Sequence, residues 1–374
     1  NYHKNEFGNI TSEILDLTKV INKQAKIFRQ QYEDISQKTE TVLLSDICYI
    51  SKGMVVNADE HTAKNEFVKS DIVSAQKTKI FNKPYIEGKD LKHYLLERIR
   101  FLEWGTERVP AKLSRVTFPS LYTGEKIMRG RVTGGIYENT GLVCNDSIIL
   151  FKKFIDLQNV KSRSISVSIS KNHFEKFGSK TSEEIAKKRE ELEEISTKFE
   201  LKYLLAIINS KYAYWFLNNF RRSSIKNYFY PDDFRNLPIP LISDQDQQIF
   251  VEKVDLMMSK GRELQTLQSD WFVLLPKKLK PKKKLTKKLA NWFLGDFEFF
   301  VAEMLKVGID IGKLDYKERQ KLKTDFSFAQ ADALPLHNLL EKTDQQIDVL
   351  VYKLYNLSSE EINLIENKQN YTQN

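Results

Sequence analysis

The chain has 374 residues, 41% of them hydrophobic and 11% aromatic, which excludes a disordered tail and leaves room for two or three cores. A formal net charge of +9 favours polyanionic partners, since neutralising phosphates releases counterions. Cys48 and Cys144 lie far apart with no CxxC spacing, and no apolar run approaches the roughly 20 residues of a membrane helix; a disulfide scaffold, a cysteine-based zinc site and a membrane span are therefore not expected, and a reducing cytoplasmic setting is.

Residues 11–36 read as an amphipathic helix that Thr11 can cap, with Ile14, Leu17, Ile21, Phe28 and Ile35 on one face. From about 42 to 155, short β-branched and aromatic runs broken by Gly, Asn and Pro predict mostly sheet. Within it, Lys126–Tyr137 and Leu142–Phe151 read as a hairpin turning at Glu138-Asn139-Thr140-Gly141. Helix is expected again at 182–220, started by Ser182 and supported by Glu183–Lys187 and Glu184–Lys188 pairs. Asn236 to Pro240 must be extended, because proline restricts itself and its predecessor.

Two later helices show regular seams. Phe250, Val254, Met257, Gly261 and Leu264 step by four and three in 244–268, and Leu336, Leu340, Thr343, Ile347, Leu350 and Leu354 do so in 336–355. The two are expected to pack together, antiparallel. Between them lies the lysine-dense stretch Pro276–Leu289, then an aromatic segment, Trp292 to Phe300. A last helix opens with a capping box, Ser358 with Glu361, and a staple of Leu357 on Ile362.

Catalytic signatures do not emerge. There is no P-loop, no glycine-rich turn in strand-to-helix context for S-adenosylmethionine, and no Asn/Asp-Pro-Pro-Tyr/Phe loop for a target amino group. His3, His61, His93, His173 and His337 have no metal-ligand spacing. Glu200-Leu201-Lys202 spells part of a nuclease motif but opens an apolar helix, where a charge pair is the simpler reading. What remains is a binding surface. Arg115, Lys126, Arg129 and Arg131 cluster in and before the expected hairpin, and alternation sets Arg129 and Arg131 on one face, suited to phosphates or guanine edges. Arg221, Arg222, Lys226 and Tyr228 follow a helix and mix cations with an aromatic that can stack on a base. The alternatives are a solvated sheet edge, cations complementing a helix C-terminus, and, for the lysine run, a solvated loop.

Four segments in order resemble one family. Lys83-Pro84-Tyr85-Ile86-Glu87-Gly88-Lys89-Asp90-Leu91-Lys92-His93-Tyr94 resembles the KPxIxGxDIxxY signature of TaqI-like specificity domains, and Tyr203-Leu204-Leu205-Ala206-Ile207-Ile208-Asn209-Ser210-Lys211 resembles their YLLAILNSK helix. Leu237-Pro238-Ile239-Pro240 before Asp246-Gln247-Gln248 is similar to their exit from the recognition fold. Gln346 to Ser358 resembles their closing xIDxLVYxLYGLT segment, with Asn356 in place of the usual glycine. Asparagine tolerates a left-handed backbone, so the departure is mild.

The resemblance implies a mixed α+β chain: a connecting helix at 1–40, a target-recognition domain at 41–242, and a helical region at 243–374 with a lysine-rich insertion at 276–289. It implies a double-stranded DNA recognition module with no catalytic residues of its own, belonging to a type IIG restriction enzyme or adenine-N6 methyltransferase. Asn1 stands where an initiator methionine would, so a methyltransferase domain is expected upstream in the same full-length chain. S-adenosylmethionine, and Mg if a nuclease accompanies it, would be bound there. The specificity subunit of a type I system, a phage-defence methyltransferase using the same specificity fold, and a helical protein-interaction scaffold are the alternatives.

Overall fold

A computed structural model describes residues 40–174, 180–220, 228–281 and 283–369. The expected helix at 11–36 lies outside the described residues, as do Arg221, Arg222 and Lys226. The fold is mixed α+β. The strands are β1 (Thr41–Leu43), β2 (Cys48–Lys52), β3 (Val55–Ala58), β4 (Val73–Ser74), β5 (Phe81–Ile86), β6 (Leu91–Lys92), β7 (Leu95–Leu96), β8 (Arg100–Glu103), β9 (Leu113–Arg115), β10 (Lys126–Gly130), β11 (Gly135–Glu138), β12 (Val143–Cys144), β13 (Ile148–Lys153) and β14 (Pro238–Pro240). The longer helices are α1 (Arg163–His173), α2 (Ser182–Thr197), α3 (Leu201–Asn209), α4 (Lys211–Phe220), α5 (Asp244–Leu274), α6 (Phe297–Lys306), α7 (Tyr316–Leu354) and α8 (Ser359–Gln369). None of them is long and apolar enough to cross a membrane.

The central sheet runs β11-β10-β13-β2, antiparallel throughout, and a second sheet runs β12-β5-β8-β4. The hairpin differs from the expected one. β10 turns at 131–134 and pairs with β11, Lys126 opposite Glu138, inside the segment read as a single arm. The Glu138 to Gly141 stretch is instead a passage between sheets, because Val143 and Cys144 pair parallel with β5 before the chain returns as β13 on the far side of β10. Turn chemistry marks a reversal but not which sheet receives the next strand.

Residue alternation gives each face of the central sheet its own core. Ile50, Ile127, Ile149 and Phe151 face one apolar cluster with α3 and α4. Met128, Ile148 and Leu150 face the other, built with β3, β5, β8 and β9. The first cluster takes Phe250, Val254, Ile347 and Val351 from α5 and α7 as well, so one core joins residues on both sides of Pro240. A third cluster, rich in Trp and Phe, lies at the far end of α5 and α7.

Helix 182–220 is broken twice, at 198–200 and at Ser210. The first break is held by Gln247, fully buried, which accepts from Glu200 N–H at 2.8 Å and donates to the Lys198 carbonyl at 2.7 Å. The cap of α2 is Thr181, whose hydroxyl accepts from Glu184 N–H. Glu184 is spent on that box and Lys188 pairs with Glu191, in place of the expected Glu184–Lys188 pair.

The two seams do pack together. Lys253 reaches Gln346 at 2.8 Å near one end, while Leu267 and Leu274 share a cavity with Leu322 and Phe328 at the other, so α5 and α7 are antiparallel. Asn356 adopts φ +49°, the left-handed conformation asparagine tolerates, and the Ser358/Glu361 box starts α8.

Ile347 is 1% exposed in this seam. Ile347→Asp should cost several kcal/mol, about 3–5, read as a lower urea midpoint. Beside it Asp348 accepts from Lys211 N–H at 2.9 Å, at the start of α4. Burial, reinforced by Asp344, pushes its carboxyl up to about 7 against the pull of Lys211. With a folded pKa above the unfolded one, the folded state holds the extra proton between about pH 4 and 7, so stability falls as pH rises through that window. Asp348→Asn keeps an acceptor for Lys211 and should flatten that slope, raising Tm at pH 8 but not at pH 4, by calorimetry.

Candidate nucleic-acid interface

Arg129, Ile149 and Lys52 form one row across β10, β13 and β2, on the face that carries the first core. There the core ends and the chain 228–234 crosses the row. Phe229 N–H donates to the Arg131 carbonyl at 2.9 Å, and Arg131 Nε returns a bond to the Phe229 carbonyl at 3.3 Å. Phe229 points inward and is buried, while Tyr228 and Tyr230 on either side of it stay accessible.

The two hairpin arginines meet this segment at different depths. Arg129 is 3% exposed, its guanidinium 5.3 Å from the Phe229 ring and 5.0 Å from Phe234, donating to the Gly130 carbonyl. Its Nε has no partner among the described residues, and burial pushes its pKa down to about 10. Arg131 is half-buried, over Tyr230 at 4.3 Å and Tyr228 at 5.0 Å, and Lys52, also half-buried, lies over the Tyr230 ring at 4.8 Å. Attraction to the ring faces holds these cations in place while both residues stay partly accessible. Arg115 is exposed and reaches Ser51 at 3.3 Å, on the opposite face of β2 from Lys52.

The turn carrying Arg131 is fixed from behind. A Cβ on Gly130 would come within 1.9 Å of the Thr133 hydroxyl, which donates to the Gly88 carbonyl at 3.0 Å. Gly88 belongs to the segment Lys83–Asp90, whose Glu87 and Asp90 are buried and bind Arg100. Burial opposes ionisation of Glu87, but Lys89, Lys69 and Arg100 overcome it and hold the carboxyl down at about 2. That motif is therefore a charged brace under the site.

Lys126 requires a correction as a candidate ligand contact. It is fully buried, pairs with Glu138 and donates to the Tyr122 carbonyl at 2.8 Å, on the face of β10 opposite Arg129. The odd spacing of three from Arg129 dictates this: an even spacing was needed to share the face. Arg129 too is an internal support for the 229–234 segment and not a surface contact. Arg115, Arg131 and Tyr228 remain at the surface, and sequence reasoning missed Lys52 and Tyr230. Lys52-Gly53 closes a strand, and a Cβ on Gly53 would meet the Asn145 carbonyl at 2.3 Å, but only the sheet order brings Lys52 to Arg131. In the lysine run Leu279 and Leu289 are buried anchors, and Lys277, Lys280, Lys283, Lys284, Lys287 and Lys288 are exposed, while Lys278 pairs with Glu318. Among the described residues no group of His, Cys, Asp and Glu is placed to hold a metal ion.

One family model, described as a domain of unknown function (DUF8810), matches residues 243–351. These limits run from the N-cap of α5 at Ser243 nearly to the end of α7, so the match falls on the helical frame and the third core. No curated protein matches the chain.

Lys126→Met should test the internal role of that lysine. Leaving Glu138 buried without its partner is expected to cost about 3–5 kcal/mol in chemical denaturation, and the Lys126→Met/Glu138→Leu pair should recover most of it.

Proposed function

We propose that the chain is a sequence-specific double-stranded DNA recognition module that positions DNA for an adenine-N6 methyltransferase domain upstream in the same protein. The observation that carries this reading is the cluster of Lys52, Arg131, Tyr228 and Tyr230 set on the end of a braced sheet, with Arg115 exposed on the opposite face of β2. Cations stacked on aromatic rings, held by backbone bonds, suit a phosphate backbone and exposed base edges. The net charge of +9 and the exposed lysines after α5 add attraction without sequence preference. Arg221, Arg222 and Lys226, which precede Tyr228 in the sequence, lie outside the described residues. In this reading S-adenosylmethionine, and Mg where cleavage accompanies modification, are bound by the upstream domain.

The test is binding of a mixed-sequence duplex over a KCl series. Lys52→Ala/Arg131→Ala should weaken binding and make the plot of log K against log salt shallower by about 2, since each phosphate contact contributes about 0.9. An unchanged slope, with the fold intact by circular dichroism, removes the patch from the interface. Methyltransferase motifs in the coding sequence before Asn1 would support the second half of the reading, and another fold there would defeat it.

A further inference from the structure

Where the third core ends, α5 and α7 present a face that belongs to neither seam nor sheet. Leu267, Trp271 and Leu274 fall on one side of α5 at steps of four and three, and Leu322, Asp325, Ala329 and Asp332 do so along α7. The two stripes line a cavity of about 650 Å³. Its floor is the third core, with Trp271 and Leu322 both buried. Its sides are open to water: Leu274 is 80% exposed and Phe328 70%. Large apolar side chains left in solvent around one cavity mark a surface that gains free energy by being covered.

The charge around this cavity has the opposite sign to the chain's net +9. Asp270, Asp325 and Asp332 line it, all exposed, and none has a side-chain hydrogen bond or ion pair among the described residues. Of the lysines there, Lys278 is engaged by Glu318, which leaves Lys321 as the other lining cation against three carboxylates. Carboxylates bordering an apolar trough attract a partner whose apolar stripe is flanked by Lys or Arg, and repel phosphate groups. The trough between two helices also sets the partner's shape. From Glu318 to Asp332, α7 rises about 21 Å at 1.5 Å per residue, roughly four turns, and a helix laid along it would present anchors at three- and four-residue steps.

We propose that this face docks a basic amphipathic helix of a partner protein, about four turns long. Its Leu or Phe side chains fill the cavity beside Leu274 and Phe328, and its Lys or Arg side chains meet Asp270, Asp325 and Asp332. Asp325 and Asp332 stand two turns apart, so cations seven residues apart on the partner answer both. The docking is independent of DNA binding by the sheet, because no lining residue belongs to a strand.

The probe is a fluorescein-labelled peptide of about 16 residues, with Leu or Phe at i, i+4, i+7 and i+11 and Lys on both flanks. It is titrated with the full chain at near-physiological salt and read by fluorescence anisotropy. The same peptide with Glu for Lys should bind at least about tenfold more weakly. Leu274→Ser/Phe328→Ser should weaken binding of the Lys peptide at least about tenfold. Asp270→Asn/Asp325→Asn/Asp332→Asn should erase the preference for Lys over Glu. All five positions are exposed, so the variants should keep the wild-type circular dichroism spectrum and melting temperature. Equal binding of the two peptides, no binding of either, or binding indifferent to Leu274→Ser/Phe328→Ser overturns the proposal. Sedimentation showing a dimer that Leu274→Ser/Phe328→Ser dissociates overturns it in favour of a second copy on this face.

Discussion

Helix α3 carries the fold, because it is apolar on every side and has to be covered on every side. Eight of its nine residues are buried. The central sheet covers one side and α5 the other, so neither half of the molecule can complete its core alone. At its end, Asn209 accepts from Gly135 N–H at 2.8 Å and donates to the Gly135 carbonyl at 2.9 Å. That pair of hydrogen bonds fixes the rotation of α3 against β11, next to the turn that carries Arg131. The turn that carries Arg131 and the helical frame are thus coupled through a single buried helix.

Basic residues divide by depth into two kinds that look alike in a list of residues. Lys126 and Arg129 are internal, one answered by a carboxylate and one by two aromatic faces and a carbonyl. Arg131 and Lys52 are at the surface over tyrosines. A buried cation with no carboxylate beside it loses hydration that ring faces only partly replace, which is why the Arg129 guanidinium titrates lower than usual. Its contacts with Phe229 and Phe234 support the 229–234 segment from below.

Features with a strong local period were legible in the sequence. The α5 and α7 seams, the Ser358 box and the left-handed Asn356 all follow from neighbours within a few residues, and the structure has them. The sheet was legible as sheet but not in its pairing. Nothing local tells β11 to stay with β10 or sends Val143 across to Tyr85; those choices depend on which face Ile86 and Cys144 can bury together. The break before α3 depends on Gln247, some fifty positions away, and so was invisible too. In the arginine cluster, a spacing of three between Lys126 and Arg129 had already placed them on opposite faces. The tyrosines under Arg131 required the fold.

The pairing of β1 with β14, Thr41 opposite Pro240, brings the chain's entry and exit together across three residues. Everything from 41 to 240 is therefore a loop-out from a helical shaft, joined at one neck. A neck of this kind is where one polypeptide can be exchanged for another without re-laying the shaft, because both splice points are adjacent and extended. The cost of exchange falls elsewhere, on the incoming unit's helix against Phe250, Val254 and Ile347. A replacement that kept that helix and altered only the sheet's far end would change the exposed side chains there and leave the shaft that holds them untouched.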